Sequence, residues 1–124
     1  MHHSRLSALI IDCRTDSLPD AASFWTQALG RESKPQRDPV SPYIELTPAT
    51  GNFELSVQKV AHPSRVHLDI ESDDVEAEVN RLEALGARRV EKVKHWWVLE
   101  APTGQRFCVV PAHGSLQKNA NRWD

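Results

Sequence analysis

Two spacings of apolar residues alternate along this chain, and the alternation runs through twice. Residues 6–13 are a mostly apolar run, which predicts a strand covered on both faces. A turn and helix-start signal follows at residues 16–20, with Pro19 inside it. Ala21, Phe24, Trp25, Ala28 and Leu29 then recur three and four residues apart, one apolar stripe of a helix. Gly30 suits the left-handed position just beyond the helix end. Residues 31–42 carry Pro35, Pro39 and Pro42 among charges and read as a loop with at most a short edge strand. Residues 43–47 and 53–60 read as strands about a turn at 48–52.

The second pass is more regular. Residues 65–70 alternate, with Val66, Leu68 and Ile70 on the apolar face and Arg65, His67 and Asp69 on the polar one. Ser72, Asp73 and Asp74 are a cap signal for a helix whose apolar side is Val75, Val79, Leu82 and Leu85, and Gly86 ends it. Residues 90–93, 96–99 and 106–110 are the remaining strands, with a hairpin turn at 101–104. The copies match motif by motif: Asp12 returns as Asp69, Gly30 as Gly86 and Gly51 as Gly104. The chain therefore reads as a single domain of two modules, one over about residues 6–60 and the other over about 65–111. A polar tail, 112–124, follows, with Trp123 as its candidate anchor. His2 and His3 stand ahead of the first strand and are given no chemical role.

Composition narrows the function classes. A chain of 124 residues is long enough for one real core. A formal net charge of −2 with interspersed signs gives no footprint for nucleic acid or an anionic membrane. No apolar run approaches the roughly 20 residues of a membrane span, so a cytoplasmic protein is expected. Cys13 and Cys108 read as reduced thiols inside strands, not as a disulfide framework.

The phrases Arg65-Val66-His67-Leu68-Asp69-Ile70, Asp73-Asp74-Val75, Leu82-Glu83-Ala84-Leu85-Gly86-Ala87 and Pro102-Thr103-Gly104-Gln105-Arg106-Phe107 resemble the vicinal oxygen chelate superfamily. That group holds glyoxalases, extradiol dioxygenases and bleomycin-resistance proteins, and the likeness here is greatest to its glyoxalase-like branch. Phe24-Trp25 before Ala28-Leu29-Gly30 matches the first helix of the same pattern. The resemblance implies an α+β fold: two paired βαβββ modules in an open, U-shaped mixed sheet with helices on the convex face. It also implies one divalent metal (Zn, Ni, Fe or Mn) held by the first and last strands of the modules. Of the four ligand slots, His67 and Glu54 match. Cys108 stands where glutamate is usual, and the first-strand slot falls among Ala8, Leu9 and Ile10, which carry no donor. Little or no glutathione-dependent methylglyoxal isomerase activity is therefore expected.

Strand parity groups the candidates. Glu54, Ser56 and Gln58 share one face of their strand, His67 and Asp69 share another, and Arg106 and Cys108 share a third. With the helices on the apolar faces, Glu54, Gln58, His67 and Cys108 are expected to converge on one cavity, with Trp96 and Arg106 as further substrate contacts. Glu54 and His67 are the candidate catalytic pair: a partly buried carboxylate would shuttle a proton next to a carbonyl, and an imidazole would polarise the substrate or hold the metal. Glu54, His67 and Cys108 form a candidate three-ligand set with an open fourth position. A salt bridge between Glu54 and an arginine such as Arg106 is the plainer reading of that carboxylate. Cys13 is expected to pack, and Trp96 and Trp97 to point to opposite faces. Two functions stay open: lyase or isomerase chemistry on a small organic molecule, and a metal-free binding protein of the drug-sequestering type. A homodimer is expected, because an open sheet has edges to cover.

Overall fold

The computed structural model describes residues 1–50, 53–116 and 118–124; the expected turn at 48–52 therefore lies partly outside the described residues. In chain order the elements are β1 (His2–Arg14), α1 (Leu18–Leu29), β2 (Glu32–Ser33), β3 (Tyr43–Thr50), β4 (Phe53–Val60), β5 (Arg65–Ser72), α2 (Val75–Ala84), β6 (Arg88–Val93), β7 (Trp96–Glu100), β8 (Arg106–Pro111) and β9 (Asn121–Trp123). Among the described residues, two helices and one mixed, open, nine-stranded sheet make an α+β fold. No helix among them is long and apolar enough to cross a membrane. The chain divides into two compact units, Ala8–Val66 and a second built from Met1–Ser7 with His67–Asp124.

In the Ala8–Val66 unit the strands run in the order β2-β3-β4-β1, with β1 parallel to β4 and the other pairs antiparallel. Helix α1 starts where Ser17 accepts a hydrogen bond from the Asp20 amide, with proline in its first turn. It stops where Gly30 takes φ 66°, a left-handed conformation that glycine adopts without strain. Ile11, Ile44, Leu46, Leu55 and Val57 all project to one sheet face and pack on Leu18 and Ala22 of α1. The buried side of α1 is therefore rotated from the expected stripe. Phe24 is 61% exposed and lies edge-on to Trp25, and Leu29 is also exposed. Cys13 packs against this core as expected, and burial pushes its thiol above the ordinary value.

In the second unit the order is β1-β5-β8-β7-β6, with β5 parallel to β8 and β9 lying antiparallel on the start of β1. Asp74 caps α2 by accepting from the Ala77 amide at 3.0 Å. Gly86 follows at φ 108°, where an added Cβ would stand 3.0 Å from Pro102 Cγ, so both backbone angle and space call for glycine. Val79, Leu99 and Val109 are fully buried, with Val75, Leu82, Trp97 and Phe107 packed around them. Leu85, Val66 and Leu68, expected on the apolar faces, are exposed at 67%, 56% and 43%.

The first strand begins earlier than its apolar run. His2, His3 and Ser4 are buried: His2 Nε2 lies 2.9 Å from Glu78 Oε1, and His3 Nδ1 lies 2.7 Å from Asp73 Oδ2. The Trp123 indole N–H donates to Ser4 Oγ at 2.9 Å, which ties the last strand to the first. These histidines were given no role from sequence because nothing local marks them; their partners lie in and beside α2.

Candidate functional site

Each helix covers one sheet face of its own unit, and the candidate polar residues lie on the opposite faces, among apolar neighbours such as Ala8, Ile10 and Val98. In the Ala8–Val66 unit the β1–β4 ladder pairs Ala8 with Glu54, Ile10 with Ser56 and Asp12 with Gln58. Across the other edge of β4, Glu45 pairs with Ser56 and Tyr43 with Gln58. Cross-strand partners share a face, so Glu45, Glu54, Ser56, Gln58 and Tyr43 stand together on the side away from α1. Gln58 Nε2 donates to the Tyr43 hydroxyl at 3.0 Å, and Lys34 Nζ lies 3.3 Å from Glu45 Oε2.

Glu54 is an exposed residue, yet part of its carboxyl is withdrawn from water. That desolvation raises its pKa above the ordinary glutamate value. The charge of Glu45 and a hydrogen bond shared between the two carboxyls push it further, against lowering by the Ser56 hydroxyl and the Lys34 ammonium. Sequence reading missed Glu45 and Tyr43, although the alternation Tyr43, Glu45, Thr47 carried the signal. Asp12, at the end of the same face, is almost wholly buried, with His62 Nε2 at 3.9 Å and Arg65 Nε at 3.8 Å. A depression of about 720 Å³ in this unit, lined by Arg14, Asp16, Pro42 and Lys59 among others, includes none of the Glu54 group.

In the second unit His67 and Asp69 alternate on β5, Cys108 is the ladder partner of Asp69, and Val98 is the partner of Cys108 on β7. One ligand atom from each of His67, Asp69 and Cys108 lies within 4.8 Å of the other two. His67 Nε2 stands 3.3 Å from Asp69 Oδ1. Arg106 and Trp96 belong to the same face by ladder position. Arg106 Nε donates to Glu100 Oε2 at 3.0 Å, which makes Glu100 its ion-pair partner. Trp97 points the other way, into the α2 core, with the Arg89 guanidinium 4.8 Å from its ring centroid. Asp69 was read from sequence only as a polar strand residue.

The two ladders also revise the match between modules. The turn motif equates Glu54 with Cys108, but Asp12 pairs with Gln58 and its repeat partner Asp69 pairs with Cys108. By backbone register the counterpart of Cys108 is Gln58. The strand partner of Glu54 is Ala8, 5% exposed, and Ile10 beside it is 2% exposed; neither offers a donor atom. The four-ligand metal set implied by the resemblance does not fit these residues, and no chemical step is derived through it.

Residues 8–110 match the model of a family described as a glyoxalase-like domain. No curated protein matches the chain. Solved structures do. One is a hypothetical protein from Bacillus halodurans, at 13% identity and TM-score 0.64, covering 90% of this chain and 96% of its own. Another is a methylmalonyl-CoA epimerase from Mycobacterium tuberculosis, at 14% identity and TM-score 0.61, covering 90% of both chains. A third is a glyoxalase/bleomycin resistance protein/dioxygenase superfamily member from Vibrio splendidus, at 17% identity and TM-score 0.56, covering 88% of this chain and 99% of its own. At these identities the likeness is one of fold.

Proposed function

This chain belongs to the glyoxalase-like domain family of the vicinal oxygen chelate superfamily, and from that premise we propose that it binds a small carbonyl compound against the polar sheet face of the Ala8–Val66 unit and moves a proton beside the carbonyl, in lyase or isomerase fashion. The observation that carries the reading is the Glu54 carboxyl on the polar sheet face beside Glu45, raised above the ordinary glutamate value first by burial and then by the charge of Glu45, the direction that favours a proton-transferring group. Gln58, held by the Tyr43 hydroxyl on the same face, supplies a fixed amide to orient the ligand. An epimerase among the similar folds is consistent with proton transfer on this scaffold, although a shared fold does not assign the reaction. Two free thiols, Cys13 and Cys108, suit a reducing cytoplasm, and the strand edges at β2 and β6 suit a homodimer in which a second copy covers one of them.

The test is hydrogen exchange. The chain is incubated in heavy water with a panel of 2-oxo acids, hydroxyketones and acyl thioesters, and deuterium at the carbon next to the carbonyl is followed by mass spectrometry. Exchange is expected with at least one compound, and Glu54→Gln is expected to slow it about a hundredfold or more while leaving the unfolding midpoint in place. Binding of a panel compound without exchange would turn the reading to the sequestering alternative. Exchange that is indifferent to Glu54→Gln would remove Glu54 from the chemistry.

A further inference from the structure

We propose that the depression at the ends of β1 and β4 binds a small organic carboxylate, its anionic group held between Arg14 and Lys59 and its apolar body laid against Pro42, Val60 and Ala61. The site lies wholly within the Ala8–Val66 unit, and its lining includes none of the Glu54 group. It therefore stands or falls independently of the proton-transfer reading above.

Three observations carry it. The first is a held rim. The parallel β1–β4 ladder pairs Cys13 with Lys59 and Arg14 with Val60, so the two cations leave neighbouring strands one register step apart and bracket the strand ends from opposite faces. The Lys59 amide donates to the Pro42 carbonyl at 2.8 Å and the Arg14 amide to Ser64 Oγ at 2.9 Å, while Lys59 Nζ stands 3.5 Å from the Asp16 carbonyl. The space so bordered is about 720 Å³, within the roughly 300–1,000 Å³ of small-molecule sites and more than a bare inorganic anion fills. The second observation is charge. Arg5, Arg81, Arg88, Arg89 and Arg106 each pair with a carboxylate. Among the described residues Arg14 and Lys59 have no ion-pair partner, and the Lys59 ammonium meets only the neutral Asp16 carbonyl. Two solvated cations at a strand end are the plainer interpretation, but it does not account for both standing unpaired on one rim. The third is the wall between them, where Pro42, Val60 and Ala61 supply apolar surface to a body that the cations cannot hold.

The lining also chooses the anion. Asp16 borders the same depression, so two positive charges against one negative leave it with a net charge of +1, the match for a single carboxylate. A doubly charged phosphate would set its second charge against Asp16. The guanidinium of an arginine presents parallel N–H groups that fit the two oxygens of a carboxylate, and a lysine ammonium adds a point charge from the other side.

Benzoate is the probe, with benzamide as its neutral match and inorganic phosphate as an anion without an apolar body. The full chain, labelled with nitrogen-15, is titrated with each at fixed ionic strength and followed by its amide chemical shifts. Benzoate is expected to move the amides of Thr15, Asp16, Val60 and Ala61 along one saturable curve, at least about tenfold tighter than benzamide or phosphate. Arg14→Gln and Lys59→Gln should each weaken benzoate about tenfold, and Asp16→Asn should strengthen it. Arg88→Gln, which removes the same charge from the other unit, should leave it unchanged. The proposal is overturned by benzoate shifts that do not saturate or that fall elsewhere, or by benzamide or phosphate binding as tightly as benzoate. It is equally overturned by indifference to Arg14→Gln and Lys59→Gln, by weaker binding in Asp16→Asn, or by an equal loss in Arg88→Gln.

Discussion

Leu99→Ala is expected to cost about 2–5 kcal/mol of folding free energy, the range for large-to-small changes in a packed core. Leu99 is fully buried, on the central strand of the β8-β7-β6 edge, and its methyl groups meet Val79 of α2 and Val109 of β8. Removing them forfeits transfer free energy and leaves a cavity that a sheet pinned on both sides closes poorly. Leu68→Ala is the matched control. Alternation on β5 makes Leu68 look like core, but it is 43% exposed, and its truncation should cost about 1 kcal/mol or less. Urea unfolding of the two variants separates them; equal losses would mean that the core of this unit has been misassigned.

Glu78→Ala should be as damaging, at about 3–5 kcal/mol, because it strips the acid from a buried charge network. Glu78 is wholly buried; its two oxygens accept from Arg81 Nε at 2.7 Å and a second guanidinium nitrogen at 2.9 Å, with His2 Nε2 also at 2.9 Å. The Arg81 guanidinium lies 3.8 Å from the centroid of the Trp123 ring, so the network joins α2 to both chain ends. Burial alone would raise the Glu78 carboxyl, but hydrogen bonds from Arg81, His2 and Ser4 outweigh it and hold its pKa below the ordinary glutamate value. The sign follows. A depressed carboxyl contributes stability that is complete above the unfolded-state value, about 4.3, and is lost as pH falls through the lower folded-state value. Stability measured from neutral pH downward should therefore fall less steeply for Glu78→Gln than for the native chain. An identical acid limb in both would show that Glu78 is not held ionised.

Much of this was legible in the sequence, for identifiable reasons. Gly30, Asp74 and Gly86 mark helix ends because caps are local, and the two-residue period of strands puts His67, Asp69 and Cys108 on polar faces before any register is known. Register itself was not legible. The repeated turn glycines suggested that Glu54 corresponds to Cys108, whereas the ladders give Gln58 that place. Helical spacing likewise named a stripe on α1 without saying which side the sheet would cover, and Leu18 and Ala22 took the buried places in preference to Phe24. His2 and His3 could not be read as strand residues, because their burial depends on Glu78 and Asp73, far along the chain. Glu45 escaped notice because its importance rests on a cross-strand neighbour, not on any motif of its own.

The central claim is that burial and the neighbouring charge of Glu45 raise the Glu54 carboxyl, and NMR titration of the glutamate side-chain carboxyl carbons tests it most directly. Glu54 is expected to titrate above the ordinary glutamate value and to move downward in Glu45→Gln once the neighbouring charge is gone. A Glu54 that titrates in the ordinary range and is unmoved by Glu45→Gln would contradict the account.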